Sequence, residues 1–249
     1  MTIQQLTGRQ GVTDEQLTMI KQQVSVWMSN YDASHDMAHI ERVVATTKAI
    51  HGRDEIAVGA DRNLLLAVAY LHDSFDRKYC PDTTMKAQEI VKSLSEEPIG
   101  LSKSTAQFII DKIHNMSYSA ELKSGRSAES AADPYIAIVQ DADRLDAMGA
   151  IGICRCMAYS GAKDRPIVSE GGAEELQLQR RFVERPESTK PTATQYAKGS
   201  PSAVAHFYEK LLQLKDTMKT RTGGQIAEQR HQFMLQFLDQ IFAEINGTA

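Results

Sequence analysis

The segment from Asp61 to Asp73 constrains the fold most, because it is apolar on nearly every side and then ends in two polar residues. The letters that follow Asn63 are LLLAVAYLHD. A helix that is apolar all round has to be covered by other elements. We therefore predict a central, fully packed helix that delivers His72 and Asp73 at its end. An unpartnered charge there would cost several kcal/mol, so these side chains require partners or a metal ion.

The rest of the chain repeats apolar residues at helical spacing, and no segment alternates convincingly as a strand would. Capping residues and proline at the first helical position predict where several helices begin. The predicted helices begin at Thr13–Gln16, near Asp36, near Asp61, at residues 83 and 103, at Asp133-Pro134 and at Ser200-Pro201, and a long one follows near the C-terminal end. The small-residue segment GAIGIC is expected to continue the helix that starts at Pro134. The prediction is an all-α helical bundle.

The chain has 249 residues, a length most economically folded as a single domain, 1–249. Residues 161–200 are rich in Gly, Pro, Ser, Thr and charge. We predict a long excursion there, either a lid or a disordered segment, with at most one helix near residues 173–182.

Composition excludes several classes of protein. A net charge of -4 argues against broad nucleic-acid binding, which needs a basic face. The first thirty residues lack the apolar stretch of a signal peptide, and no apolar run is long enough to span a membrane. The odd count of three cysteines, at Cys80, Cys154 and Cys156, favours reduced thiols that pack as small apolar groups. We therefore expect a cytoplasmic protein with no membrane partner.

Residues of metal-ligand type recur in three separate helical segments. They are His39, the pair His72-Asp73, and the carboxylates of AIVQDADRLDAMG. Imidazole nitrogens and carboxylate oxygens at one depth in a helical bundle are what a divalent transition-metal ion requires. Asp141 and Asp143 stand two positions apart on a helix, so only one of them can point at a shared ion. The other supports it or faces solvent.

Five ordered blocks then carry a resemblance over nearly the whole chain: HDMAHIERV, LHDSFDRK, VQDADRLDAMGAIGICR, HFYEKLLQLKDTM and AEQRHQFMLQFL. Together they resemble the HD superfamily of metal-dependent phosphohydrolases, and within it the YedJ/YpgQ-type branch. The resemblance implies a helical bundle of the HD-domain type. It also implies that the metal ligands are His39, His72, Asp73 and Asp143, the last because its Ala-Asp-Arg context matches the family's final ligand.

The resemblance bears on the metal as well. Two-metal members of the superfamily carry extra histidines between the His-Asp pair and the final Asp, where this chain offers only His114. We therefore expect one divalent ion. Two imidazoles and two carboxylates suit Mn²⁺, our first choice, or Fe²⁺, Co²⁺ or Ni²⁺, and argue against a pure Mg²⁺ site.

Four further residues are candidates for catalysis and substrate binding. Asp76 is predicted to orient or deprotonate water, and Lys78 to hold a phosphate. The alternative for Asp76 is a solvated turn. His114 and Arg144 are predicted substrate contacts. His114 can contact the substrate only if its helix lies across the site. The alternative for Arg144 is an ion pair with a neighbouring carboxylate.

The resemblance implies a nucleotide substrate, and its most specific form is a (deoxy)nucleoside triphosphate that loses pyrophosphate. Two alternatives stay open. One is a phosphodiesterase or phosphatase acting on another small phosphate ester. The other is a non-catalytic nucleotide-binding regulator, which intact metal ligands argue against. The oligomeric state is not predicted.

Overall fold

The computed structural model describes residues 10–29, 36–74, 82–116, 132–190 and 199–248, and all regular structure within these ranges is helical. The α-helices are α1 (Asp14–Trp27), α2 (Met37–His51), α3 (Arg62–Leu71), α4 (Thr83–Ser95), α5 (Lys103–His114), α6 (Pro134–Asp146), α7 (Gly149–Ala162), α8 (Ala173–Glu184), α9 (Ala203–Glu209) and α10 (Arg221–Ile245). Short 3-10 helices lie at Glu55–Ala57, Glu170–Gly172, Pro186–Thr189 and Leu211–Thr217. The predicted all-α fold is confirmed.

The helix starts follow from local capping. Thr13 and Gln16 form the predicted capping box at α1. The Asp36 side chain accepts the backbone N–H of His39 at 2.8 Å at the start of α2. At the start of α3, the Asp61 side chain accepts the backbone N–H of Leu64 at 2.7 Å. Each cap satisfies a backbone donor that the first helical turn leaves without an intrahelical partner.

Helix α3 is the buried centre of the first part of the chain. All its residues from Leu64 to Leu71 are buried, and it packs against α1, α2 and α5. Burying each leucine contributes about 1.5–3 kcal/mol, so these contacts stabilise α3. It ends at Leu71, with His72 as its C-cap. The predicted central helix is therefore confirmed.

Helix α6 does not continue through GAIGIC, so that prediction is wrong. The chain turns at Ala147 and Met148 and starts α7 at Gly149, whose φ is +69°. A Cβ on Gly152 would lie 2.3 Å from the carbonyl oxygen of Ala147. Glycine is therefore required where the turn meets the next helix.

The chain packs as two compact units, residues 1–142 and 143–249, and the division falls inside α6. In the second unit α10 packs against α7 and the 3-10 helix at 211–217, and α8 packs against α9. The single-domain organisation stays a prediction. No helix in the described ranges has the length and apolarity needed to cross a bilayer.

In the described part of the predicted excursion, residues 161–190 and 199–200, helix α8 lies at the expected place. Buried Glu175 at its start accepts hydrogen bonds from the hydroxyls of Ser169 at 2.6 Å and Ser202 at 2.5 Å. Burial would raise the pKa of Glu175, but these hydrogen bonds lower it. Ser202 also caps α9, so the helix begins after Ser202, not at Ser200-Pro201 as predicted.

The two described cysteines differ in environment. Cys154 is exposed, whereas Cys156 is buried, and burial raises the pKa of its thiol to about 11. The predicted packing role therefore holds for Cys156. Cys80 lies outside the described residues.

Candidate metal centre

His39 is presented from the first turn of α2. Its backbone N–H is the group that Asp36 caps, and its side chain is buried, with an exposed fraction of 1%. The cap fixes the start of the helix and with it the point from which the imidazole projects. A buried imidazole of this kind is held in one place before any ligand arrives.

His72 is held in a defined tautomer just after α3. Its Nδ1 lies 2.8 Å from the carbonyl oxygen of Ala69. A carbonyl can only accept a hydrogen bond, so Nδ1 carries a proton, and in the neutral ring Nε2 is the nitrogen that can bind a metal ion. The ring nitrogen that remains is thus in the form that binds a metal ion.

Asp73 lies against both imidazoles. Its Oδ2 atom is 3.3 Å from Nε2 of His39 and 3.5 Å from Nε2 of His72. The two rings meet edge to face, with centroids 5.3 Å apart. With the His72 ring neutral, its Nε2 lone pair and the carboxylate oxygen are both electron-rich, and a cation between them would relieve their repulsion. Ligand atoms about 2.1 Å from one ion are about 3.0–3.4 Å apart in octahedral or tetrahedral geometry.

Asp143 completes the group. His39, His72 and Asp143 each offer a ligand atom, and these three atoms lie within 4.8 Å of one another. Two imidazoles and one carboxylate therefore converge, with Asp73 beside both imidazoles, and donors of these kinds fit a divalent transition-metal ion. Asp141, the other carboxylate of the pair, is fully buried, whereas Asp143 is partly exposed.

Of the four other predicted site residues, Arg144 and His114 lie within the described ranges. Arg144 is buried, and its Nη1 donates to the carbonyl oxygen of Thr217 at 2.8 Å. His114 is exposed at the end of α5 and lines a cavity of about 670 Å³ between α4 and α5. Asp76 and Lys78 lie outside the described residues. Their roles in substrate binding and catalysis stay predictions.

Sequence reasoning missed two residues that position the helix carrying Asp143. Tyr135 accepts a 2.8 Å hydrogen bond from the backbone N–H of Asp61. Arg230, far along the chain in α10, donates to the carbonyl oxygen of Leu145. Burial lowers the pKa of Arg230. No local pattern signals either contact, since both join residues remote in sequence.

The chain is similar in sequence and fold to several known proteins. No family model matches the chain. The Bacillus subtilis (strain 168) protein YpgQ is 31% identical over 231 residues, covering 91% of this chain and 94% of YpgQ. The crystal structure of YpgQ in complex with ADP superposes with a TM-score of 0.66 at 29% identity, covering 94% of this chain and 100% of that one.

Two other crystal structures are similar. A Lactobacillus plantarum protein has a TM-score of 0.72 at 28% identity, with 95% of this chain and 99% of that chain covered. An HD-superfamily hydrolase from Bacillus thuringiensis has a TM-score of 0.64 at 28% identity, with 93% and 97% covered.

The helical fold and the His-Asp cluster define a protein of the HD superfamily of hydrolases. Within that superfamily the chain belongs to the YpgQ family, as the identity to YpgQ over nearly the full length of both chains shows. The expected superfamily and branch are both confirmed.

Proposed function

We propose that the protein is a divalent-metal-dependent phosphohydrolase that acts on a nucleotide. The observation that carries the proposal is the approach of two imidazole Nε2 atoms to one oxygen of Asp73, at 3.3 and 3.5 Å. Four groups, His39, His72, Asp73 and Asp143, would hold one ion, with Mn²⁺ the first candidate.

The protein groups prepare this site before substrate arrives. The Ala69 carbonyl holds the His72 tautomer, and the capped start of α2 holds His39. The Asp73 side chain has an exposed fraction of 15%, so the cluster is open to solvent on that side. An ion held there would lower the pKa of water and polarise a phosphoryl oxygen, which is the chemistry that phosphate-ester and phosphoanhydride hydrolysis needs.

A nucleotide is the substrate class we favour, because YpgQ has been crystallised in complex with ADP. The most specific proposal is hydrolysis of a (deoxy)nucleoside triphosphate to a monophosphate and pyrophosphate. In this proposal Lys78 contacts the phosphate chain and Asp76 orients the attacking water, both on the strength of the sequence.

Metal analysis tests the site. Purified wild-type protein should carry about one equivalent of transition metal per chain, and Asp73→Asn should lose it while keeping its helical content. Asp111→Asn, which changes an exposed carboxylate on α5, is the matched control and should keep the metal. Full metal occupancy in Asp73→Asn would refute the ligand assignment.

Product analysis tests the reaction. Each (deoxy)nucleoside triphosphate is incubated with the Mn²⁺-loaded protein, and the products are separated. Monophosphate with pyrophosphate supports the specific proposal. Diphosphate with phosphate, or nucleoside with phosphate, would identify a different phosphohydrolase. Metal binding with no turnover of any nucleotide or phosphate ester would favour a nucleotide-binding regulator.

A further inference from the structure

The last turn of α6, which follows Asp143 directly, is held by three arginines. Arg144 donates to the Thr217 carbonyl oxygen at 2.8 Å. The following two positions, Leu145 and Asp146, are contacted by arginines from α10 and α7, respectively. All of these groups belong to residues 143–249.

The contact from α10 is made by Arg230. Its Nη1 donates to the carbonyl oxygen of Leu145 in the last turn of α6, which also accepts the backbone N–H of Met148 at 3.0 Å. The C-terminal end of a helix carries a partial negative charge, so a guanidinium there is favourable. Asp146 beside it is buried and pairs with Arg155 at 2.9 Å. Arg230 therefore stabilises the end of α6 by both a hydrogen bond and its charge.

The packing around the stem of Arg230 restricts where its guanidinium can go. A Cβ placed on Gly149 would lie 2.9 Å from Cγ of Arg230. Gly149 also has a φ of +69°, a conformation that favours glycine. The arginine stem thus fills the space that the glycine leaves, at the turn directly after α6.

We propose that Arg230 is a positioning residue for Asp143. It fixes the last turn of α6 and so the direction in which the Asp143 carboxylate projects toward the metal cluster. This inference rests on the proposed function, in which Asp143 is a ligand. It assigns to α10 a role in metal affinity in addition to its role in the core of the second unit.

The test compares three variants by the Mn²⁺ affinity of the folded protein, measured by isothermal titration calorimetry. Arg230→Met keeps a stem of similar length but has no donor and no charge, and should bind Mn²⁺ about tenfold more weakly, as when a group that orients a ligand is lost. Arg230→Lys restores charge and a donor and should recover most of the affinity. Arg221→Met, an exposed position on the same helix, should match wild type.

A merely structural role would lower the thermal unfolding midpoint of Arg230→Met without changing the Mn²⁺ affinity of the folded protein, and that result would overturn the inference. Arg230→Gln, which keeps an amide donor, serves if the methionine variant does not fold, and wild-type affinity in it would likewise overturn the inference. Failure of wild-type protein to bind Mn²⁺ would instead refute the proposed function, and this inference with it.

Discussion

The backbone N–H of Asp61 donates a 2.8 Å hydrogen bond to the phenolic oxygen of Tyr135. Asp61 caps α3, and Tyr135 stands in the first turn of α6, so this bond ties the starts of the two helices together. At a rise of about 1.5 Å per residue, His72 lies about 16 Å beyond Asp61 and Asp143 about 12 Å beyond Tyr135. We therefore expect the tie between the two helix starts to help set the depth of both candidate ligands, whose ligand atoms lie within 4.8 Å of each other.

Tyr135→Phe tests this relationship. The variant removes the hydroxyl but keeps the ring, which packs edge to face on Phe108 with centroids 5.2 Å apart. We expect the free energy of unfolding, from urea titration, to fall by about 0.5–1.5 kcal/mol. Mn²⁺ affinity should fall as well. Tyr159→Phe, on α7, is the control and should leave Mn²⁺ affinity unchanged. Wild-type affinity in Tyr135→Phe would show that this bond does not set ligand depth.

Replacing Asp143 should have a more severe effect on metal content and activity than replacing Asp141. Asp143→Asn removes a proposed ligand, so metal content and hydrolysis should both fall below detection. Asp141→Asn changes a fully buried carboxylate two positions away and should reduce activity by about 10 to 100-fold with metal retained. Elemental analysis and steady-state kinetics of both variants check this, and the reverse order would exchange the two assignments.

Removal of the metal should destabilise the protein, because an ion that binds only the folded state adds to its stability. Treatment with a chelator should lower the thermal unfolding midpoint, and added Mn²⁺ should restore it. At 100 times its dissociation constant the ion contributes about 2.7 kcal/mol. Asp73→Asn should show no response to either reagent, and a full response would mean that the ion binds elsewhere.

Lys78→Ala should weaken binding of a nucleoside triphosphate more than binding of the monophosphate. An ammonium group does not ligate metal, but it can contact the phosphates that extend beyond the reacting centre. Steady-state kinetics on the matched pair of substrates measure the difference, and metal content serves as the control. An equal loss on both substrates would show that Lys78 is structural or solvated.

The burial of His231 leads us to expect that the free energy of unfolding depends on pH. It is buried in α10, and its Nδ1 makes no hydrogen bond to the part of the chain that is described. Burial, helped by the charge of Lys215, lowers its pKa below the ordinary value of 6.5. Glu228, Asp216 and a hydrogen bond with the backbone of Leu212 oppose this shift without cancelling it.

The unfolded chain therefore binds more protons at this position than the folded protein in the window below pH 6.5. The stability contribution is full above pH 6.5 and is lost as the pH falls through the folded pKa. In His231→Gln the free energy of unfolding should fall less steeply as the pH drops below 6.5 than in wild type. His51→Gln is the control, and a slope in His231→Gln equal to that of wild type would contradict the assignment.

Helix starts were predictable because caps act over three residues. Asp36 and Asp61 each bond to the third residue after them, and that spacing is visible in the sequence. The break after α6 was not predictable. In the sequence, Gly149 and Gly152 resemble the small residues that allow close helix packing. Their role in the turn follows only from the contacts of Gly149 with Arg230 and of Gly152 with Ala147.

The sequence by itself determined the helical fold, the buried α3 and the kinds of ligand that His39, His72, Asp73 and Asp143 can supply. These depend on periodicity, capping and side-chain chemistry, which are local properties. Only the tertiary structure decided that His72 keeps its proton on Nδ1 and that Asp73 lies against both imidazoles. It also decided which distant groups hold α6 in place. Those outcomes depend on contacts between residues far apart in the chain, and such contacts leave no local pattern.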